Sequence, residues 1–426
     1  MPGESLMGVH PIAAPFRYGP ATLLFAAVFV STTFSGSLFG GAAPYLILAE
    51  IAVLLWMNIT PMSVDRGYVN SRHLLQFGLL AAFCVFLGWQ VTYAMAPELT
   101  LIYLRRFAVF SLLLLFVPNP DACRLAMKAS KYYGFLVAIS ILVVTMVSGT
   151  KSGGLVGDYQ YGGMMMSIAC ILFLVDYYHD GGRATDIVGF VFALTALFMT
   201  GKRAFALIVI FSLIWLYLAS VERGKWLKLL KLSIAGLGSV GALYMTVQPV
   251  RELVSRLGLL LLDTGTATSG RNVLWALALD IFQSNPLVGV GFANFVVYSD
   301  AISAAPWFGL FHVHNIYLQL LAETGVVGFA LMTGLLGTAL VCSWWLYRLS
   351  LRSEEPVPRY VMICSVALQA WFIMYGFTGN GLYGWHELFV YISAVAMMIS
   401  VRIAVSTNAN PVRRAAAPGR VRGGML

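Results

Sequence analysis

Residues 264–328 read TGTATSGRNVLWALALDIFQSNPLVGVGFANFVVYSDAISAAPWFGLFHVHNIYLQLLAETGVVG, the longest break in a chain otherwise built of apolar runs. Within it Leu274, Ala278 and Ile281 recur at helical spacing, as do Trp275, Leu279 and Phe282. The pattern predicts a short helix over 272–284 with a broad apolar face, lying on a membrane interface or roofing a cavity. Asn285-Pro286 ends it, because proline disfavours helix in the residue before it. Gly289 and Gly291 then permit a tight reversal. Glu323-Thr324-Gly325 predicts the turn by which the chain rejoins the apolar series, with Glu323 also able to orient a histidine.

Around that stretch the composition demands a bilayer. The 426 residues are 59% hydrophobic and only 11% charged, against roughly 25% charged in soluble domains. The apolar runs match the thickness of a hydrocarbon core and do not alternate, so helices are expected rather than a barrel. Spans are expected at 21–39, 43–59, 73–95, 100–117, 132–148, 162–178, 184–200, 203–220, 228–247, 325–347, 359–377 and 384–403. The chain therefore reads as an all-α polytopic membrane protein of about twelve spans, divided into 1–247 (nine spans), 248–324 (a large loop with short helices), 325–405 (three spans) and 406–426 (a basic tail). The first span reads as an uncleaved anchor.

The net charge of +9 does not indicate a nucleic-acid binder, since the basic residues form no stripe with interleaved aromatics. Loop bias explains them. With the N-terminus inside, 19 of the 27 Lys and Arg fall in inner segments and 6 in outer ones, which predicts cytoplasmic termini and an extracytoplasmic 248–324 loop. The other two, Arg105 and Arg106, fall inside the fourth span and should face the interior, a wet cavity or a headgroup. The five cysteines stand at no CxxC spacing, so neither a disulfide framework nor a zinc site is indicated.

The chemistry-bearing residues each carry two readings. Arg271 is either a snorkelling arginine or a bidentate phosphate ligand. Lys202 and Arg203 sit in a short outer connection, against the charge bias, as interfacial anchors or as further cations for the same anion. His312 and His314, followed by Asn315, are interfacial histidines or a base acting near neutral pH. His386-Glu387 is left unassigned. No phosphate loop, HExxH, GxSxG or DxD-like cluster is present. What remains is a group of outer cations and a base, which suits a substrate that carries its own activation energy.

Ser269-Gly270-Arg271 with Trp275, Asn285-Pro286 through Gly289 and Gly291, His314-Asn315 with Tyr317-Leu318, and Glu323-Thr324-Gly325 through Gly328 together resemble the O-antigen ligase and polysaccharide polymerase superfamily of bacterial membrane glycosyltransferases. Gly201-Lys202-Arg203, the twelve expected spans and the loop after the ninth match as well. The resemblance implies a GT-C-like, inner-membrane enzyme. It would move a glycan from an undecaprenyl diphosphate carrier to a hydroxyl acceptor on the periplasmic face, with inversion and without metal or other cofactor. It implies that Arg203 and Arg271 bind the diphosphate and that His314 activates the acceptor; Lys202, His312, Asn315, Arg105, Arg106 and Glu323 are further candidate substrate contacts on the reading of the residues themselves. Lys202 departs from the family, where a small residue is common. The implied partners are the lipid-linked glycan, lipid A–core or another glycan as acceptor, and membrane lipids. Ligase and polymerase share this motif set, and a transporter of the lipid-linked glycan or a protein-glycosylating ligase are lesser alternatives.

Overall fold

The computed structural model describes residues 20–34, 45–49, 51–53, 74–115, 117–220, 224–246, 248, 250–252, 255, 271–302, 312–352 and 356–408. These are helical, with no strand among them. In chain order the helices are α1 (Pro20–Phe34), α2 (Leu74–Gln90), α3 (Pro97–Leu115), α4 (Pro120–Ser148), α5 (Tyr159–His179), α6 (Ala184–Thr200), α7 (Arg203–Ala219) and α8 (Lys225–Thr246). There follow α9 (Arg271–Ser284), α10 (Phe295–Ile302), α11 (Ile316–Ser350), α12 (Pro356–Tyr375) and α13 (Trp385–Asn408).

Six of these, α4, α5, α8, α11, α12 and α13, are long and apolar enough to cross a bilayer, and α1, α2, α6 and α7 are shorter apolar helices. The chain is thus a multi-pass membrane protein. The expected second span, 43–59, lies mostly outside the described residues, as does the basic tail. Apolar side chains cover the outside: Val147 is 85% exposed and Leu237 75%, tolerable only against lipid. At the centre α5 is buried almost throughout, whereas α8 is largely exposed.

α4 begins twelve residues before the expected span at 132–148. Asn119 explains the early start. Its side chain accepts from the Ala122 amide at 2.7 Å, and Pro120 takes the first helical position, where a missing N–H costs nothing. The added turns carry Arg124, Lys128 and Lys131 into contact with Asp176 and Asp180 at the end of α5 and Asp186 at the start of α6. Lys128 Nζ lies 2.8 Å from Asp176 and 2.6 Å from Asp180, and Lys131 bonds Asp176 and, at 3.0 Å, Asp186. Three of the basic residues counted in inner segments, Arg124, Lys128 and Lys131, are therefore ion-pair partners, and Lys131 is buried. Nearby, Lys228 donates to the Tyr177 carbonyl at 2.8 Å. This is the basic end of the bundle.

The opposite end is organised by a backbone crossing. The chain after α9 runs beside the start of α11: Val290 N donates to Ala322 O (3.2 Å), Gly291 N to Glu323 O (2.9 Å) and Val326 N to Pro286 O (2.9 Å). Gly325 breaks α11 with φ 60 and ψ −165, and Gly289 has φ 67. A Cβ on Gly289 would strike the backbone at Glu323, and one on Gly325 the backbone at Leu287. Two glycines let two main chains touch. The expected turn at 323–325 is therefore present, as a break inside a longer helix.

Buried polar side chains pin this crossing. Gln90, the last residue of α2, donates to Val288 O (2.8 Å) and Glu323 O (2.9 Å) and accepts from Phe292 N at 3.1 Å. Asn294 accepts from Ala96 N (2.6 Å) and donates to Thr100 (3.0 Å). Each satisfies backbone groups that lipid could not.

Candidate active site

The expected helix over 272–284 is α9, and Leu274, Ala278 and Ile281 are its buried face. That face packs with Val290, Phe295, Val313 and Ala322 in a small core of its own. Trp275 is half-buried and its indole N–H donates to Val313 O at 3.1 Å. Packing and bond together fix α9 over the start of α11, with Arg271 at its first position. Ser269 and Gly270 lie outside the described residues.

Three other pieces of chain meet Arg271. Its guanidinium donates to Thr378 O, just past the end of α12, at 3.3 Å. The charge of Arg203, the first residue of α7, acts on it. Burial and then the Arg203 charge lower the Arg271 pKa. Lys202 precedes α7, where Gly201 turns the chain at φ 70. Its ammonium lies 3.2 Å from the Gln160 side-chain oxygen and 4.5 Å from the Tyr159 ring centroid. Burial and the nearby Arg271 and Lys151 pull its pKa down, while Asp158 raises it.

His314 stands in the same field. It occupies the left-handed region at φ 55, rare for a residue with a side chain. The residues on either side hold it there. The Val313 amide donates to Gln319 at 3.2 Å. Asn315 caps α11 by accepting from Tyr317 N (3.0 Å) and Leu318 N (3.2 Å). Burial, then Arg271, His312 and Lys202, push the His314 pKa down to about 4. The imidazole is neutral at ordinary pH, and in the ligand-free site it is a weaker base than a free histidine.

The remaining expected contacts separate into supports and outliers. His312 Nδ1 lies 3.1 Å from Gln319 Nε2, and its ring is 5.4 Å from that of Tyr383. Burial lowers its pKa. Asn315 spends its side-chain oxygen on the helix cap. Glu323 is fully buried and faces a closed network: it accepts from Ala293 N (2.7 Å), Phe295 N (3.1 Å), Gln319 (3.0 Å) and the Tyr383 hydroxyl. Its hydrogen-bonded link to His312 runs through Gln319. Arg105 and Arg106 part company, since adjacent helical positions point about 100° apart. Arg105 is exposed and Arg106 is buried. Among the described residues, no three His, Cys, Asp or Glu side chains are grouped so as to hold a metal ion.

Sequence reading missed Gln90, Gln319, Tyr375 and Tyr383. Each is a polar group inside or beside an apolar run, the one local signal available. Tyr375 is an electrostatic neighbour of Arg271 and is bonded by Gln160, which ties the cation cluster to α5 and α12.

Comparison with known proteins bears on this region. The O-antigen ligase family model matches residues 188–333, which include α7, α9 and the start of α11. A stretch of 119 residues is 30% identical to the exopolysaccharide production protein ExoQ of Rhizobium meliloti (strain 1021), covering 26% of this chain and 26% of that protein. Residues 188–333, the stretch that matches the O-antigen ligase family model, hold Lys202, Arg203, Arg271, His312 and His314.

Proposed function

We propose that the chain is a membrane glycosyltransferase that moves a glycan from undecaprenyl diphosphate to an acceptor hydroxyl, as an O-antigen ligase acting on lipid A–core. The observation that carries this is the meeting of Arg203, Arg271, Lys202 and a neutral His314 at the end of the bundle opposite its basic end. That end is taken as periplasmic and the termini as cytoplasmic, in the inner membrane, with 248–324 as the catalytic loop.

The chemistry follows from charge. When the bond from the anomeric carbon to the diphosphate breaks, negative charge grows on the leaving oxygens. Cations already fixed and partly desolvated stabilise that charge without reorganising. Diphosphate leaves readily, so no general acid is required. His314 takes the proton of the attacking hydroxyl as the new glycosidic bond forms. A bound diphosphate offsets Arg271 and Lys202, two of the charges that hold the His314 pKa down, so the donor itself strengthens the base. Attack opposite the leaving group gives inversion. No step calls for a metal or a nucleotide, and the rate should be unchanged by EDTA.

The stretch similar to an exopolysaccharide production protein favours a second reading, in which the acceptor is another lipid-linked repeat unit and the product a longer polymer. Purified protein given the lipid-linked glycan, with and without lipid A–core, separates the two. Core glycosylation supports the ligase and carrier-linked elongation the polymerase. Absence of any new glycosidic bond with either acceptor rejects both.

A further inference from the structure

A second polar cluster lies beside the cations. Arg106 on α3 is 7% exposed and Glu387 on α13 is 8% exposed. The guanidinium is locked: its central carbon sits 4.2 Å from the Trp385 ring centroid and 4.4 Å from that of Tyr103, and its Nη1 donates to Tyr383 O. Its buried Nε has no partner, and neither has Glu387 Oε2. The two charges face one another electrostatically, yet no ion pair within 4.0 Å joins them among the described residues.

Other buried polar atoms are also unpaired, Asp176 Oδ1 among them, but the charged groups at the basic end make direct ion pairs. At the basic end, half-buried Lys128 touches buried Asp176 at 2.8 Å and buried Lys131 touches Asp186 at 3.0 Å. Direct contact is what a purely structural buried pair needs in order to offset desolvation. Here a donor and an acceptor are each left open, with aromatic rings beside them. Tyr161 neighbours Glu387 and Arg106, while Tyr375 neighbours Glu387, Tyr161 and Arg271. The two tyrosines therefore bridge this cluster and the cation cluster.

We propose that Arg106 and Glu387 form the subsite for the sugar joined directly to the carrier diphosphate. This rests on the reading of Arg203, Arg271 and Lys202 as diphosphate ligands. A pyranose hydroxyl both donates and accepts, so neighbouring hydroxyls can give a proton to Glu387 Oε2 and accept one from Arg106 Nε. An apolar face of the sugar suits the half-buried Tyr161 ring, as is general for sites with few, well-placed polar groups. Gly384 belongs to the same subsite, because a Cβ there would collide with the Glu387 carboxylate.

The test is binding to detergent-purified full-length protein of three probes: inorganic pyrophosphate, farnesyl diphosphate and a farnesyl-diphosphate-linked monosaccharide. Wild type should bind the sugar-bearing probe about 10-fold more tightly than farnesyl diphosphate, the worth of one or two hydrogen bonds to charged groups. Glu387→Gln and Gly384→Ala should erase most of that ratio while leaving pyrophosphate affinity unchanged. Should either variant fail to fold, wild type is titrated with deoxy analogues of the same sugar, at least one of which should lose the advantage. An unaltered ratio in a folded Glu387→Gln protein, or equal affinity of wild type for every deoxy analogue, overturns the subsite. Pyrophosphate binding that survives Arg271→Ala counts instead against the diphosphate reading.

Discussion

His314 is held at φ 55 by bonds to its two neighbours, a conformation that asparagine also tolerates. Replacing it therefore separates stability from chemistry. His314→Asn should fold with an unchanged or slightly higher melting temperature, yet transfer should fall by roughly 10²–10⁴, the worth of a general base. A melting temperature lowered by many degrees would assign the residue to the scaffold instead. Its titration offers a second check. Burial and the surrounding cations press its pKa to about 4, so histidine NMR of the ligand-free protein should find a ring neutral down to about that pH. Arg271→Gln removes one of those cations and should move the midpoint up toward the ordinary value; an unmoved midpoint would mean that the two groups do not share a site. The sign for stability is fixed by the same shift. The unfolded chain binds the proton more readily, so His314 takes stability away as pH falls from the ordinary histidine value toward about 4.

At the scale of elements the crossing of 286–291 over 322–327 is what aligns α9, α11 and α2. Gly325→Ala would need a methyl group at positive φ against the Leu287 backbone. We expect a loss of about 3 kcal/mol or more, combining strain and overpacking, read as a lower melting temperature in detergent with transfer lost in parallel. Wild-type stability would show that the two strands are not in contact. Much of this element was legible beforehand. The spacing of Leu274, Ala278 and Ile281 predicted both α9 and its buried face, and Asn285-Pro286 and Gly325 marked its stop and the later break. The partners of Gln90 were not legible. It bonds residues 198 and 233 positions away, and no local pattern encodes a pairing that the fold itself creates. Nor could periodicity choose between Arg105 and Arg106, because both orientations fit the same apolar run.

For the whole molecule, loop charge predicted an inner side rich in Lys and Arg, and the structure adds that Arg124, Lys128 and Lys131 among them are ion-paired. Asp176 is 1% exposed and contacts Lys128 and Lys131. Asp176→Ala removes the carboxylate shared by buried Lys131 and half-buried Lys128 and leaves them Asp186 and Asp180, so it should cost about 1–3 kcal/mol, visible as reduced thermal stability without a change in donor affinity. An effect under about 1 kcal/mol would mean the cluster is hydrated and contributes little. Arg203, Arg271 and His314 were legible as candidate residue types; their mutual electrostatic influence came only with the fold. The use of Glu323 and Asn315 as supports was not, because a carboxylate or amide in a loop reads the same whether it meets a substrate or a backbone amide.

The central claim is that Arg271 and His314 act together on a lipid-linked glycan. The direct measurement is single-turnover transfer by purified protein with lipid-linked glycan and acceptor, comparing wild type, Arg271→Ala, His314→Ala and the double variant. The account predicts a product from wild type, losses of about 100-fold or more in each single variant, and a double variant far less impaired than the product of the two losses, as for residues working as a unit. Transfer at the wild-type rate by either single variant would contradict it.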